Sequence, residues 1–441
     1  MPTVDIPFEQ GVLSVPLPEG WQVVDTIRPL PHAKLEDESA GLIAALEHPI
    51  GTSPLRDKAL AQKRIVICID DISRPTPTAR YFGTLLNYLV AHGANPGNML
   101  ILFALGVHRD MTAEEARQKL GAADLLGIPW HNHSSTDSRE LATLGTTTRG
   151  THIALNRHLV DADLILTLGA VDPHLLLGFS GGCKMILPGL ASARTIAENH
   201  MQGVSHAHYN YIGIADSPMR LDLEEGANML GKEIFIINAV MNESLEVCAF
   251  FAGHPVAAHR EAVRVVQSIN ARPVQEPVDV VIVASNPMNA DLRQGLKCIG
   301  NVEASVRPDG LIIGFLECRN GIGDITIPTS KSLPNRVLRF LLKCIGSKRV
   351  LGLIDRVKKG AGIEERFLAH FSMQLARNCQ IYVHSHKLPG NIGARVGLFV
   401  QFATVEAMMT AARKRAPKNA SVLVYPYAGA TYPTLSKDRQ P

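Results

Sequence analysis

Short apolar runs alternate with amphipathic helical patterns along the chain. The clearest runs are Arg64–Asp70, Asn98–Ala104 and Leu159–Leu168. Runs without polar positions are typical of strands that are covered on both faces, as in a parallel sheet. A helical pattern over residues 78–93 follows the first run, and a capping-box spacing at Thr112–Glu115 follows the second. The repeated order of strand, polar loop and helix predicts an α/β fold with mostly parallel sheets.

A break in this pattern divides the chain. Residues 271–277 (ARPVQEP) contain two prolines and no hydrophobic period, and Val278–Ala284 then begins a second α/β series. We therefore expect an N-terminal α/β domain over 1–272 and a C-terminal α/β domain over 278–420. A tail over 421–441 is expected to pack back on the first domain. The predicted architecture is two α/β domains with an active-site cleft between them.

Composition narrows the class of function. The 441 residues carry a formal net charge of only +3, which gives no basic footprint for nucleic acid. The seven cysteines are scattered without a CxxC pair, which argues against a disulfide framework or a zinc ribbon. The sequence has neither a signal-peptide pattern at its start nor an apolar run long enough for a membrane span. We expect a cytoplasmic enzyme without nucleic-acid or membrane partners; the oligomeric state stays open.

Chemically active residue types concentrate in Asp172–His200, which reads DPHLLLGFSGGCKMILPGLASARTIAENH. This segment directly follows the apolar run Leu164–Val171 and contains His174, Lys184 and His200. A packed helix or strand does not need this mixture, whereas a bound charged ligand would explain it. Lys184 lies between a cysteine and an apolar run, and desolvation there would favour a neutral, nucleophilic amine.

A glycine turn, Phe179-Ser180-Gly181-Gly182, precedes Lys184. Successive backbone N–H groups in such a turn can form a nest for a phosphate group. The turn matches neither the G-x-G-x-x-G fingerprint nor a P-loop, so an ordinary dinucleotide or nucleoside triphosphate site is not indicated. A plain tight turn is the alternative interpretation.

Polar loops after the first two strand runs contain further candidates. Asp71 and Arg74 follow the first run, and His108 follows the second. Ligands of parallel sheets bind at the carboxyl ends of the strands, so these residues could meet His174 at one site. Two imidazoles could form an acid/base pair, and the planar guanidinium suits a carboxylate.

Each candidate also has a purely structural interpretation. Asp71 and Arg74 could form a local salt bridge, Lys184 could be a surface lysine, and His200 could be a core or capping histidine. Two closer pairs are interpreted as surface-loop histidines, because no acid or cysteine accompanies them at metal-binding spacing: His131 with His133, and His206 with His208.

Taken together, these residues resemble the nickel-pincer lactate racemase family. The resemblance covers both predicted domains and rests on four motifs: Asp71-x-x-Arg74-Pro75, Gly106-Val107-His108-Arg109, the whole of Asp172–His200, and Gln294-x-x-Lys297. Considered alone, the last motif looks like any exposed helical face.

The resemblance implies a cofactor, the pyridinium-3,5-bisthiocarboxylic acid mononucleotide of nickel, which is called the nickel-pincer nucleotide. Lys184 would hold it covalently, His200 would be a nickel ligand, and His108 with His174 would be the catalytic acid/base pair. Further contacts to the cofactor are implied for Phe179, Ser180, Gly181, Gly182, Asp71 and Thr76. Contacts to the substrate are implied for Arg74, Gln294 and Lys297. The proteins that build the cofactor would be partners.

We therefore expect an isomerase that inverts C2 of a 2-hydroxy carboxylic acid by hydride transfer to the pyridinium ring of this cofactor. Lactate is one candidate among several substrates, because the sequence does not give the volume of the pocket. Two alternatives stay open. One is a cofactor-free protein that binds small hydroxy acids, and the other is a zinc hydrolase that uses His108, His174 and His200.

Overall fold

The computed structural model describes residues 2–121, 125–204, 210–323, 327, 333, 335–346, 349–350 and 373–435. The described residues form an α/β fold with mostly parallel sheets, as predicted. They fall into two compact units. The central unit comprises Pro31–Ser205 and Gly213–Ile269, and the terminal unit comprises Met1–Leu30, His206–Ile212 and Asn270–Pro441. Among the described helices, none is long and apolar enough to cross a membrane.

The strands are, in chain order, β1 (Thr3–Phe8), β2 (Gly11–Pro16), β3 (Gln22–Thr26), β4 (Ile65–Ile69), β5 (Met99–Phe103), β6 (Trp130–Asn132), β7 (Leu141–Thr146), β8 (His152–Asn156), β9 (Leu164–Ala170), β10 (Pro173–His174), β11 (Gly178–Phe179), β12 (Glu233–Met241), β13 (Val247–Gly253), β14 (Ala271–Val274), β15 (Val278–Ala284), β16 (Val306–Phe315), β17 (Gln380–His384), β18 (Val400–Phe402), β19 (Ser421–Tyr425) and β20 (Tyr432–Leu435).

The α-helices are α1 (Glu38–Glu47), α2 (Phe82–Ala91), α3 (Ala113–Leu120), α4 (Arg157–Asp161), α5 (Ala193–Val204), α6 (Pro218–Asn228), α7 (Ala257–Asn270), α8 (Leu292–Val302), α9 (Asn335–Ile345), α10 (Ile392–Val396) and α11 (Val405–Arg415). Residues 373–378 are also helical, and the remainder of the helix expected over 364–378 lies outside the described residues.

The central unit is built on a six-stranded sheet in the order β13-β12-β9-β4-β5-β6. Its strands are parallel except β13, which pairs antiparallel with β12. All residues of β4 and β9 are buried, as their almost entirely apolar sequences predicted. The sheet therefore places β9, β4 and β5 side by side, with their carboxyl ends at one edge.

The third predicted strand is shorter than expected. The chain forms helix α4 from Arg157 before β9 begins at Leu164. Asn156 starts this helix, because its side chain accepts a hydrogen bond from the backbone N–H of His158. The asparagine cap thus stabilises a helix at the start of the predicted strand, although the sequence there is apolar enough for a strand.

The terminal unit contains a second six-stranded sheet, in the order β18-β17-β16-β15-β19-β3, with all strands parallel. Alternate residues of β15 enter different cores, because successive side chains of a strand point to opposite faces. Val281 and Val283 pack in one core, whereas Val280 and Ile282 pack in the other. The sheet is consequently covered on both faces.

The division into units differs from the expected domain boundaries at both ends of the chain. The first 30 residues join the terminal unit, because β3 pairs with β19 and the β1–β2 hairpin packs on one face of the sheet. The last segment also belongs there: β19 lies inside the sheet, and β20 pairs with β14. Residues 271–274 of the expected linker thus form a strand rather than a free connection.

Candidate active site

Three loops with candidate residues follow three adjacent strands. Asp71 follows β4, His108 follows β5, and His174 follows β9. Since β9 and β5 both pair in parallel with β4, the loops leave the sheet at the same edge. The shared edge predicted from the sequence is confirmed, and it is where ligands of parallel α/β sheets bind.

A hydrogen bond joins the first two loops. His108 Nδ1 donates to Asp71 Oδ2 over 2.9 Å, since an ionised carboxylate can only accept. In the neutral ring the Nε2 atom of His108 then carries the lone pair. Burial alone raises the pKa of the Asp71 carboxyl, but the His108 hydrogen bond and the positive charge of Arg74 outweigh burial and hold that pKa below its usual value. Asp71 therefore fixes the orientation of the His108 ring and would stabilise its protonated form.

A buried lysine that the sequence analysis missed fixes the loop around Asp71. Lys119 is only 4% exposed, and its Nζ lies 2.6 Å from Asp70 Oδ1. It also donates to the carbonyl oxygens of Arg74 and Thr76. Thr76, expected at the cofactor, donates its hydroxyl to Asp70, so that hydroxyl is already engaged within the loop. One sequence signal was available: Lys119 lies on the stripe of α3 that also buries Ala116 and Leu120.

His174 is held in the opposite tautomer. It ends the short strand β10, and its Nδ1 accepts hydrogen bonds from the backbone N–H groups of Leu176 and Leu177 at 3.3 and 3.2 Å. The neutral ring must therefore carry its proton on Nε2. His108 and His174 thus differ in the state of Nε2: the first presents a lone pair and the second an N–H donor.

The Phe179–Gly182 turn is held from inside the protein. Ser180 N–H donates to the carbonyl of Asp172 at 2.8 Å, and Gly182 N–H donates to Asn238 Oδ1 at 2.9 Å. Gly181 adopts a φ of 76°, and a Cβ there would lie 2.7 Å from Val171 Cγ2, so only glycine fits. Two amides of the expected phosphate nest are therefore already engaged, and contact of this turn with a phosphate stays a prediction.

The carbonyl oxygens of the same turn have two further partners that the sequence analysis missed. Arg220, which is fully buried, donates to the carbonyls of Phe179 and Gly181. His259 Nε2 donates to the carbonyl of Ser180 at 2.8 Å. A buried arginine has no distinctive sequence signal, because the same residue in an amphipathic helix is usually a surface residue.

Burial and charge set the protonation of Arg220 and His259. Burial lowers the pKa of Arg220 to about 10, and the nearby Glu224 counteracts only part of that effect. Burial, reinforced by the charge of Arg220, also lowers the pKa of His259 well below its usual value. Since His259 Nδ1 accepts from Arg260 Nη1, the ring is neutral with a fixed tautomer. The turn before Lys184 is thus attached to a rigid polar network.

Lys184 lies in the short 3-10 helix Gly182–Met185, which begins at the last residue of the glycine turn. Its carbonyl accepts a hydrogen bond from Gly189 N–H at 3.1 Å, and the Gly189 carbonyl accepts from Gly106 N–H at 2.8 Å. Gly106 belongs to the loop of His108. Two consecutive backbone hydrogen bonds therefore connect the lysine segment to the loop of the candidate base.

His200 lies on α5 with a defined orientation. Its Nδ1 donates to the carbonyl of Ile196 at 2.6 Å, which leaves the lone pair on Nε2. This backbone partner is the kind that fixes the rings of metal-binding histidines. The segment after His174 packs on the same helix, because a Cβ at Gly203 would lie 3.2 Å from the Cβ of Leu176. The structure therefore brings the segment that follows His174 against the helix of His200.

Gln294 and Lys297 belong to the terminal unit. Both lie on α8, and Lys297 Nζ donates to Gln294 Oε1 at 2.9 Å. Their side chains meet, as the spacing of one helical turn predicted. Their contact with a substrate stays a prediction.

One expectation about the other histidines is wrong. His133 is buried rather than a surface-loop residue, with Nε2 on the carbonyl of Ala191 and Nδ1 on the amide of Asn156. The pair at 206 and 208 lies outside the described residues. Among the described residues, no three or more histidines, cysteines or carboxylates form a metal cluster. The three-histidine zinc site of the hydrolase alternative is therefore not formed.

The chain is similar in sequence to known proteins. Residues 8–212 match the family described as the lactate racemase N-terminal domain. The lactate racemase of Thermoanaerobacterium thermosaccharolyticum is 32% identical over 330 residues, which cover 73% of this chain and 76% of that protein. The lactate racemase of Lactiplantibacillus plantarum is 28% identical over 376 residues, which cover 84% of this chain and 87% of that protein.

Solved structures extend the similarity over the whole fold. The lactate racemase apoprotein of Thermoanaerobacterium thermosaccharolyticum superimposes with a TM-score of 0.81 at 25% identity, covering 98% of this chain and 100% of that one. A crystal structure of a Thermotoga maritima protein has a TM-score of 0.63 at 19% identity, covering 87% of this chain and 96% of that one, and shares the fold alone.

The fold and these relatives define the class of protein as an isomerase, a racemase. The chain belongs to the lactate racemase family.

Proposed function

We propose that this racemase inverts C2 of a 2-hydroxy carboxylic acid by hydride transfer, with a nickel-pincer nucleotide attached to Lys184. The observation that carries the proposal is that two imidazoles at one sheet edge are held in opposite tautomers. In the neutral rings, His108 has its lone pair on Nε2 and His174 has its N–H on Nε2. Removal of hydride from C2 requires that the hydroxyl proton be accepted by a base. A base and a hydrogen-bond donor on loops at the same sheet edge suit that task.

His108 is the proton acceptor in this mechanism. It takes the hydroxyl proton on Nε2, and the resulting imidazolium is stabilised by the buried Asp71 carboxylate. His174 donates its Nε2–H to the same oxygen, where negative charge develops as the proton leaves. When the 2-hydroxy acid re-forms, His108 returns the proton. The two histidines thus have unequal roles, although the resemblance had implied an equivalent acid/base pair.

The residues present fit the proposed cofactor at two points. A backbone carbonyl holds the Nδ1–H of His200, as is usual for metal-binding histidines, and imidazole suits Ni²⁺. Lys184 projects from a turn whose backbone is fixed by Arg220, His259 and Asn238. When bound, the cofactor would accept hydride from C2 and return it to either face of the planar 2-keto acid. The proteins that build this cofactor would act on Lys184.

Substrate recognition is assigned to cationic and amide groups. Arg74 lies in the loop of Asp71, and its planar guanidinium can hold a carboxylate through two hydrogen bonds. Gln294 and Lys297 would contribute contacts to the carboxylate or the hydroxyl group from the terminal unit.

The proposal is tested on protein that is co-expressed with the cofactor-building enzymes. We expect an increase in intact mass that maps to Lys184, about one nickel ion per chain, and interconversion of the enantiomers of at least one 2-hydroxy acid in a chiral-chromatography screen. Lys184→Ala is the matched control, and it should show neither the added mass nor the activity. Unmodified Lys184 without nickel, combined with binding of hydroxy acids and no loss of optical activity, would instead identify a cofactor-free binding protein.

A further inference from the structure

A pair of histidines in the terminal unit takes no part in the proposed reaction. His384 ends strand β17, and His386 follows two residues later. His384 is 1% exposed, whereas the side chain of His386 is 55% exposed. Their rings stand edge to face with centroids 4.8 Å apart, and Phe8 packs against both. The pair is therefore rigid, with one ring inside the fold and the other at its surface.

The Nδ1 atoms of both rings are held by groups that can only accept. His384 Nδ1 donates to the carbonyl of Phe402 on the neighbouring strand β18 at 3.1 Å. His386 Nδ1 donates to the carboxylate of Glu9, in the β1–β2 turn, at 2.9 Å. Each neutral ring must consequently carry its proton on Nδ1 and its lone pair on Nε2.

The two lone pairs face each other. His384 Nε2 lies 3.1 Å from His386 Nε2, so that two acceptors meet without a proton between them. A cation bound by both Nε2 atoms would remove the repulsion between their lone pairs. Protonation of either ring is the alternative, in which one Nε2–H donates to the other ring.

The geometry matches that of two imidazoles on one metal ion. At Zn–N bonds of about 2.0–2.1 Å, tetrahedral coordination separates two nitrogen ligands by roughly 3.3 Å. A carbonyl and a carboxylate on the remote nitrogens are the usual partners of metal-binding histidines. Because the described residues offer no third histidine, cysteine or carboxylate in a cluster, water at the exposed side of His386 would complete the coordination.

We infer that His384 and His386 form a binding site for a divalent transition-metal ion, with Glu9 orienting His386. The site lies in the terminal unit and is independent of the proposed cofactor chemistry in the central unit. Its role is to connect the β1–β2 turn to the end of the parallel sheet.

The test is a Zn²⁺ titration of the full-length, tag-free chain, stripped of metal beforehand and followed by calorimetry. Wild type should bind about one Zn²⁺ more than His386→Gln. Glu9→Gln keeps an acceptor but loses the charge, and it should weaken this site roughly tenfold. His32→Gln, an exposed histidine elsewhere, is the matched control and should bind as wild type does.

Two results would overturn the inference. One is equal Zn²⁺ stoichiometry for wild type and His386→Gln, with both variants folded by circular dichroism. The other is an imidazole NMR titration in which the pair shares a proton and Zn²⁺ changes neither ring. Zn²⁺-dependent shifts of both rings in wild type, absent in His386→Gln, would support it. Active-site metal binding by His200 is common to both proteins and cancels in the comparison.

Discussion

The role assigned to Asp71 can be tested by the substitution Asp71→Asn. Asparagine keeps the size of the side chain, and its oxygen can still accept the hydrogen bond from His108 Nδ1 at 2.9 Å. The change removes the negative charge that would stabilise the imidazolium. A charged hydrogen bond contributes about 1.5–3 kcal/mol, and each 1.36 kcal/mol of lost transition-state stabilisation is a factor of ten in rate. We therefore expect kcat to fall roughly 10- to 150-fold.

The assay is the initial rate of racemisation of the best 2-hydroxy acid, normalised to the nickel content of each preparation. Normalisation separates a defect in the reaction from a defect in cofactor loading. KM should change little, because Asp71 is assigned to His108 rather than to the substrate carboxylate. The matched control is Asp163→Asn, a carboxylate of the central unit that pairs with Arg64 and should leave kcat unchanged. A kcat for Asp71→Asn within twofold of wild type would refute the role given to the Asp71–His108 pair.

Three further predictions concern the same unit. Arg220→Met should leave two buried carbonyl oxygens without donors and lower the free energy of unfolding in urea by roughly 1–3 kcal/mol for each oxygen. Intact mass should also show less modification of Lys184. The variant Arg220→Lys keeps the charge, and its stability should lie between those of Arg220→Met and wild type. His200→Ala should retain the added mass on Lys184 but lose nickel in metal analysis. The pKa of Asp71 is lower in the folded state than in the unfolded state, so the ionised carboxylate stabilises the fold at pH values above the unfolded pKa. The difference in unfolding free energy between wild type and Asp71→Asn should therefore shrink as the pH falls below about 4.

Much of the central unit was predictable because its strands have strong local patterns. Ile65–Ile69 and Leu164–Ala170 are buried along their whole length, and Thr167 is the single polar residue in their sequences. The capping box at Thr112 and Glu115 is present in the structure as its spacing predicted. The edge shared by the loops of Asp71, His108 and His174 then followed from the rule for parallel sheets.

The edge strand β3 could not be predicted in the same way. All five of its residues are exposed, so it has no hydrophobic pattern, and only backbone hydrogen bonds to β19 place it in the terminal sheet. This contact between the two ends of the chain also explains why the expected domain boundaries differ from the observed units.

The supporting residues of the site could not be predicted from the sequence for a different reason. Lys119 and Arg220 are charged residues in helices, where the usual position is on the surface. Their roles arise from carbonyl oxygens that are distant in sequence, such as those of Thr76 and Phe179. The candidate residues of the proposed reaction could therefore be named from motifs, whereas the residues that hold their loops required the three-dimensional structure.

The central claim is hydride transfer at C2, and an isotope at that carbon tests it most directly. The cofactor-loaded enzyme is given one enantiomer of a 2-hydroxy acid deuterated at C2, and the opposite enantiomer is isolated and analysed by mass spectrometry. The proposed mechanism predicts that the product retains its deuterium, because hydride returns to the same carbon without exchange with water. Replacement of that deuterium by solvent hydrogen at the rate of racemisation would show proton abstraction at C2 and would contradict the mechanism.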